Sequence, residues 1–190
     1  MNDFRLLHER AADQFAELLK TLTPERMGDP TPCPEFDVRA LLAHVVNSTH
    51  WMAFVGEGGD FRTAPTWSEE VADGEWVAVY EEARRRFDRA WADDAKLART
   101  TELPWGTMPG AGAVASAVME TATHTWDLSR ALGHPLVLDP EPAEAVLPLA
   151  REALTADRRG EEVPFGPVRE AGPDAGAHER LAAWLGREVS

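Results

Sequence analysis

The chain has 190 residues, enough for one domain whose core needs no covalent staples. Nineteen Lys and Arg against 33 Asp and Glu leave a formal net charge of −14, which repels nucleic acid and anionic membrane surfaces. The lone Cys33 excludes an internal disulfide framework and a multi-cysteine zinc site, and a 44% hydrophobic content with seven Trp and seven Phe excludes disorder.

No apolar run approaches the roughly 20 residues of a membrane-spanning helix. The first residues, MNDFRLLHERAADQF, are charged throughout and lack a signal-peptide core. Both readings place the protein in the cytoplasm. Two Lys (Lys20, Lys96) against 17 Arg, and no Ile at all, indicate GC-rich coding.

The first helix is predicted from about Asp3 to Leu22, where Phe4, Leu7, Ala11, Phe15, Leu18 and Leu22 form one apolar stripe. TPERMGDPTPCPEF, with four prolines, then reads as an ordered loop. A second helix starts near Asp37, a good N-cap, with Phe36 and Leu41 placed as a hydrophobic staple, and it stops at GEGG.

A third helix is predicted from Thr66, with Glu69 completing a capping box, down to about Lys96, its first part weakened by Gly74. RTTELPWGTMPG reads as a loop with a short extended piece at Thr101–Leu103. The fourth helix runs from about Ala111 to Leu132, ended by Gly133 with Pro135 beyond. A further helix is expected from about Glu141, with Pro148 as a kink or a start. EEVPFGPVREAGPDAG reads as a partly extended crossing segment, and AHERLAAWLG as a short amphipathic helix. Four long helices with sparse strand signal predict an all-α chain, a four-helix bundle with a short, partly extended C-terminal tail and terminal helix. Residues 1–190 form a single domain in this reading, with a core over about 3–156 and the tail over 157–190.

The six histidines are not equivalent. Val38, Leu41, Val45 and Met52 mark the buried stripe of the second helix; His44 lies on its flank, above Ser48 and beside Trp51, while His50 points to the far, solvated side. On the fourth helix Glu120 and His124 flank the stripe together, one turn apart. A carboxylate and an imidazole at this spacing can share a divalent cation without distorting the helix. A third donor from a facing helix completes a two-His, one-carboxylate set with an open coordination position, as catalytic rather than structural sites have.

His44 is the best-placed third donor and His8, inside the stripe of the first helix, competes with it. E-x-x-x-H also arises by chance, leaving His124 as a hydrogen-bonded core-margin residue and Glu120 as a partner for an arginine. Asp127, one turn beyond His124, reads either as an acceptor that orients a ligand or as a structural partner of an arginine or of loop backbone. His134 and His178 need no catalytic explanation. Cys33 reads as a small apolar filler, Trp126 as packing, and Trp51 and Trp105 as core filling or as the mouth of a pocket.

Three stretches, TPCPEFDVRALLAHVV, METATHTWDLSRALG and VPFGPV with AHERLAAWLGR, together resemble the DinB-like metalloprotein superfamily. More narrowly they resemble its actinobacterial branch, which contains the N-terminal domain of mycothiol-dependent maleylpyruvate isomerase. The resemblance spans about Phe4 to Arg187. It implies a four-helix bundle holding a divalent metal, zinc or sometimes nickel, on His44, Glu120 and His124. The family commonly reads Cys-Pro-Gly-Trp where this chain has Cys33-Pro34-Glu35-Phe36, which reshapes the rim of the site. The full isomerase carries a further C-terminal domain about where this chain has only its tail.

The resemblance thus implies a metal- and thiol-dependent transferase or isomerase, with mycothiol as the thiol cosubstrate and a small electrophilic molecule as substrate. A metal-dependent hydrolase with Asp127 as base, and a non-enzymatic metal-stabilised binding or regulatory module, stand beside it. A homodimer is compatible with several exposed Trp.

Overall fold

The computed structural model describes residues 3–68, 71–134, 137–159 and 165–189. Among the described residues the chain forms α1 (Phe4–Leu19), α2 (Val38–Gly56), α3 (Trp76–Trp91), α4 (Asp94–Ala98), β1 (Thr100–Leu103), β2 (Gly106–Pro109), α5 (Gly110–Leu132), α6 (Pro140–Ala153) and α7 (Ala177–Trp184). The fold is mostly helical. The extended piece expected at Thr101–Leu103 pairs antiparallel with β2, Thr101 opposite Met108, so the chain carries a small two-stranded sheet rather than helices alone. No described helix is long and apolar enough to cross a membrane.

Helix ends follow local chemistry, and three of them move from their expected places. α1 stops at Leu19, not Leu22, because Pro24 forces Thr23 into an extended conformation (φ −124°, ψ 154°). α3 begins at Trp76, after Gly74, and not at Thr66; the expected partner in its capping box, Glu69, lies outside the described residues. α3 also ends at Trp91, short of Lys96. There the Asp93 carboxylate takes the Ala95 N–H and starts α4, offering the backbone an alternative to continuing the helix.

Asp37 caps α2 by accepting the Ala40 N–H at 2.8 Å, as its type predicts. Gly133 ends α5 in the left-handed region (φ 57°). Pro148 sits inside α6 on the exposed side, where water can serve the carbonyl it leaves without a helical partner.

α5 is the hub of the packing. It lies against α1, α2, α4, α6 and α7, while α3 packs on α1 and α2. Three apolar clusters result. Phe15, Leu18, Leu41, Leu42, Tyr80 and Leu128 join α1, α2 and α3 to the end of α5. Val118, Ala122, Val146, Leu147, Leu181 and Leu185 fasten α6 and α7 to the opposite side of α5. Met52, Phe87, Trp91, Leu103 and Val114 close the end near the hairpin, where the buried Trp91 Nε1–H donates to the Met52 carbonyl at 3.1 Å. Burying large side chains at about 1.5–3 kcal/mol each is what offsets the entropy of ordering these helices.

Candidate metal centre

α2 and α5 face each other, and their facing flanks bring His44, Glu120 and His124 together. One donor atom from each lies within 4.8 Å of the others. His44 Nε2–H donates to Glu120 Oε1 at 2.5 Å, and His124 Nε2 lies 3.4 Å from the same oxygen. The imidazole planes are 76° apart with centroids 4.9 Å apart. Ser48, one turn beyond His44, donates its hydroxyl to Glu120 Oε1 at 3.3 Å. His124 is buried, whereas His44 and Glu120 remain partly open to solvent. His8 is not near this group. It is buried against Phe87, stacked with ring centroids 3.8 Å apart, and its Nδ1 has no partner.

The far side of His124 is equally defined. Its Nδ1–H donates to Asp127 Oδ2 at 2.9 Å. Asp127 is fully buried (0% exposed) and also receives Arg187, from Nη2 at 3.2 Å and Nε at 3.4 Å. Asp127 therefore accepts from His124 and pairs with an arginine at the same time. Because it lies behind His124, it cannot reach a molecule in front of Nε2.

The charges follow from this geometry. Burial works against the charged form of His124. The Glu120 charge and the hydrogen bonds to Asp127 and Glu120 outweigh it, pushing His124 up to about 9. Burial likewise opposes ionisation of Glu120, and the two histidines overcome it, holding the carboxyl well below its ordinary range.

A cavity of about 110 Å³ opens in front of the donors, lined by Cys33, Phe36, Met119 and Thr123, with Phe165, Leu185 and Arg187 from the C-terminal segment. Phe36 forms one wall, its ring centroid 4.7 Å from His44 and 6.1 Å from His124. It is held by Thr31, whose hydroxyl donates to the Phe36 carbonyl at 2.7 Å and accepts the Cys33 N–H at 3.2 Å. Cys33 is buried, and burial pushes its thiol up from its ordinary value. A larger cleft, about 330 Å³, lies at the other end of α2 between Gly58, Arg62 and Arg99. It contains none of the three donors, and Arg62 there is paired with Asp60 and Glu102.

Other expectations resolve as follows. His50 is buried, not solvated, because the loop after α2 folds back and stacks Trp67 on it at 5.3 Å. His178 is buried between the carbonyls of Ala122 and Asp139. Trp126 is buried, with Arg130 over its ring. Trp51 packs on Trp105 and Phe61 and neither Trp lines the donor cavity; Trp105 is 58% exposed.

The donor set fits a divalent cation. Two imidazole nitrogens and a carboxylate oxygen suit zinc or nickel. Three donors on one such ion, at about 2.0–2.2 Å each, must stand about 3–3.6 Å apart; His124 Nε2 and Glu120 Oε1, at 3.4 Å, already do, while His44 Nε2 and Glu120 Oε1, at 2.5 Å, would have to separate to admit it. The fold and this cluster define a mostly helical protein with a His-Glu-His candidate centre between two helices.

Comparison with known proteins specifies the class. The mycothiol maleylpyruvate isomerase N-terminal domain family matches residues 8–129, and the chain belongs to that family. It is 32% identical over 184 residues, covering 97% of both chains, to an uncharacterized protein of Mycobacterium tuberculosis found in strain CDC 1551 / Oshkosh and in strain H37Rv. Its fold is similar to crystal structures of mycothiol-dependent maleylpyruvate isomerase and of a histidine-to-alanine mutant of it. The TM-score is 0.56 in both cases, at 19% and 18% identity, over 80% of this chain and 72% of theirs.

Arg187 is the residue that sequence reasoning missed. It stands 60 positions from Asp127, and no local spacing connects the two. The one available signal was the unassigned need of a helix-borne Asp for a cation.

Proposed function

We propose that the protein binds one divalent cation, zinc or nickel, on His44, Glu120 and His124, and acts as a thiol-dependent transferase or isomerase on a small electrophilic molecule, with mycothiol as the thiol. The carrying observation is the convergence of the three donors at the edge of a cavity, with His124 locked from behind by Asp127. Family membership supports the choice of mycothiol. The packing of α1, α2, α3 and α5 supports a DinB-like four-helix bundle as its frame.

A divalent cation held by these donors supplies a Lewis acid that lowers the pKa of a thiol brought to it, making thiolate available at neutral pH. The chain's own residues do the rest. Phe36, Met119, Phe165 and Leu185 give the cavity apolar walls, which lower the local dielectric and strengthen the charge interactions beside them. Ser48 orients the Glu120 carboxylate, and Asp127 holds the proton on His124 Nδ1, so that Nε2 faces the cavity. The burial of Asp127 removes the base that a hydrolase reading needs, which favours thiol chemistry over water activation.

Elemental analysis of protein purified without added metal, followed by calorimetric titration of mycothiol, tests the reading. We expect about one equivalent of metal, thiol binding by metal-loaded protein, and loss of both in His124→Ala. Equal thiol binding by wild type and variant refutes the thiol role. Metal that raises Tm without any thiol binding points instead to the non-enzymatic module.

A further inference from the structure

We propose that Arg187, delivered by the segment after α7, is a positioning residue for the candidate metal centre: it clamps Asp127, and through Asp127 it fixes the ring of His124. The inference rests on the metal-binding reading of His44, Glu120 and His124.

The geometry is a relay of buried groups. Arg187 (7% exposed) presents Nε and Nη2 to the two oxygens of Asp127, and Asp127 Oδ2 also accepts the His124 Nδ1–H. A carboxylate held by the histidine alone can turn about its side-chain torsions. The planar guanidinium fork, touching both oxygens, fixes the carboxylate plane and with it the direction of His124 Nε2. Charge alone, as a lysine supplies, cannot set that plane.

Arg187 is itself held in place. Its Nη1 donates to the Leu185 carbonyl at 3.2 Å and its backbone N–H to the Ala182 carbonyl at 2.9 Å. The preceding Gly186 has φ +91°, and its backbone approaches Gly166 so closely that an added Cβ would stand 2.7 Å from the Gly166 Cα. The neighbouring Arg169 N–H donates to the Ala183 carbonyl at 2.9 Å. Arg187 also lines the cavity that the three donors face. The C-terminal segment therefore reaches the centre through a fixed path of hydrogen bonds.

The test uses the full chain and three variants: Arg187→Met, Arg187→Lys and the charge-balanced Asp127→Asn/Arg187→Met, which leaves no unpaired buried carboxylate if the first variant does not fold. Zinc affinity is measured by chelator competition. The visible spectrum of the cobalt(II)-substituted protein reports donor geometry, and NMR follows solvent exchange of the His124 Nδ1–H in metal-free protein. Arg187→Met, or the double variant in its place, should bind zinc about 10- to 100-fold more weakly, with an altered cobalt spectrum and about tenfold faster Nδ1–H exchange. Arg187→Lys should recover folding stability and only part of the affinity. Wild-type exchange and affinity in a folded variant overturn the proposal, as does full recovery of both by lysine. If the wild type takes up no zinc, the metal reading fails, and Nδ1–H exchange still decides whether Arg187 fixes His124.

Discussion

His124 Nδ1 lies 2.9 Å from Asp127 Oδ2, one turn further along α5, with neither group open to solvent. This contact gives the E-x-x-x-H spacing its chemical sense. A histidine that donates from Nδ1 must present Nε2 to the other side, and on that side stand Glu120 and His44. Asp127 thus ties the candidate centre to the C-terminal segment, which supplies its second partner, Arg187.

The first prediction concerns that shared role. Asp127→Ala leaves Arg187 buried without its carboxylate and His124 without its acceptor, and it should cost about 3–5 kcal/mol in urea unfolding. Asp127→Asn should cost less, because the amide oxygen still accepts from His124 Nδ1. Equal losses would show that charge, rather than the accepting oxygen, carries the effect.

A second prediction follows from His8. Burial, assisted by the nearby Arg84 charge, brings its imidazole down from 6.5 to about 3. The unfolded chain therefore binds a proton that the folded chain refuses between those values. The stability associated with neutral His8 is complete above about pH 6.5 and is lost as pH falls toward 3. Between pH 7 and pH 4 this amounts to about 3 kcal/mol. His8→Leu removes both the titration and the unpartnered Nδ1, so its unfolding free energy should fall less over that range. Parallel pH profiles for wild type and variant would show that His8 does not titrate as its surroundings require.

Two glycines with positive φ separate backbone strain from steric clash. Gly133 (φ +57°) has nothing within 4 Å of an added Cβ, so Gly133→Ala should cost about 1 kcal/mol from conformation alone. Gly186 (φ +91°) would also drive a Cβ into the Gly166 backbone. Gly186→Ala should be clearly more destabilising in thermal unfolding. It should also weaken zinc binding, because the next residue is Arg187; a variant with wild-type zinc affinity would detach the tail from the centre.

Much of this was legible in the sequence where the information is local. Apolar periodicity placed α1, α2 and α5, and the 100° step placed Glu120, His124 and Asp127 on one flank of α5 with His44 on the facing flank of α2. What failed was set by distant contacts or by competing local bonds. His50 reads as solvated from its own helix because nothing there reveals that Trp67 returns to cover it. α3 starts at Trp76, beyond the helix-weakening Gly74, and ends at Trp91 because Asp93 caps a new helix. Arg187 could not be matched to Asp127 by spacing, since tertiary packing of α7 on α5 makes that pair.

Cys33 supplies the last prediction. Its thiol lines the donor cavity but stands outside the set of three converging donor atoms. Burial raises its pKa, with the Asp127 charge acting in the same sense and Arg187 opposing it. A thiol held protonated and covered should react slowly with iodoacetamide at pH 7.5 and become reactive on unfolding in urea. Cys33→Ala should therefore keep stoichiometric zinc with less than a threefold change in affinity, while losing about 1 kcal/mol of stability from the small void. A large loss of zinc in Cys33→Ala would make the thiol a fourth donor and would require the centre to be redrawn around it.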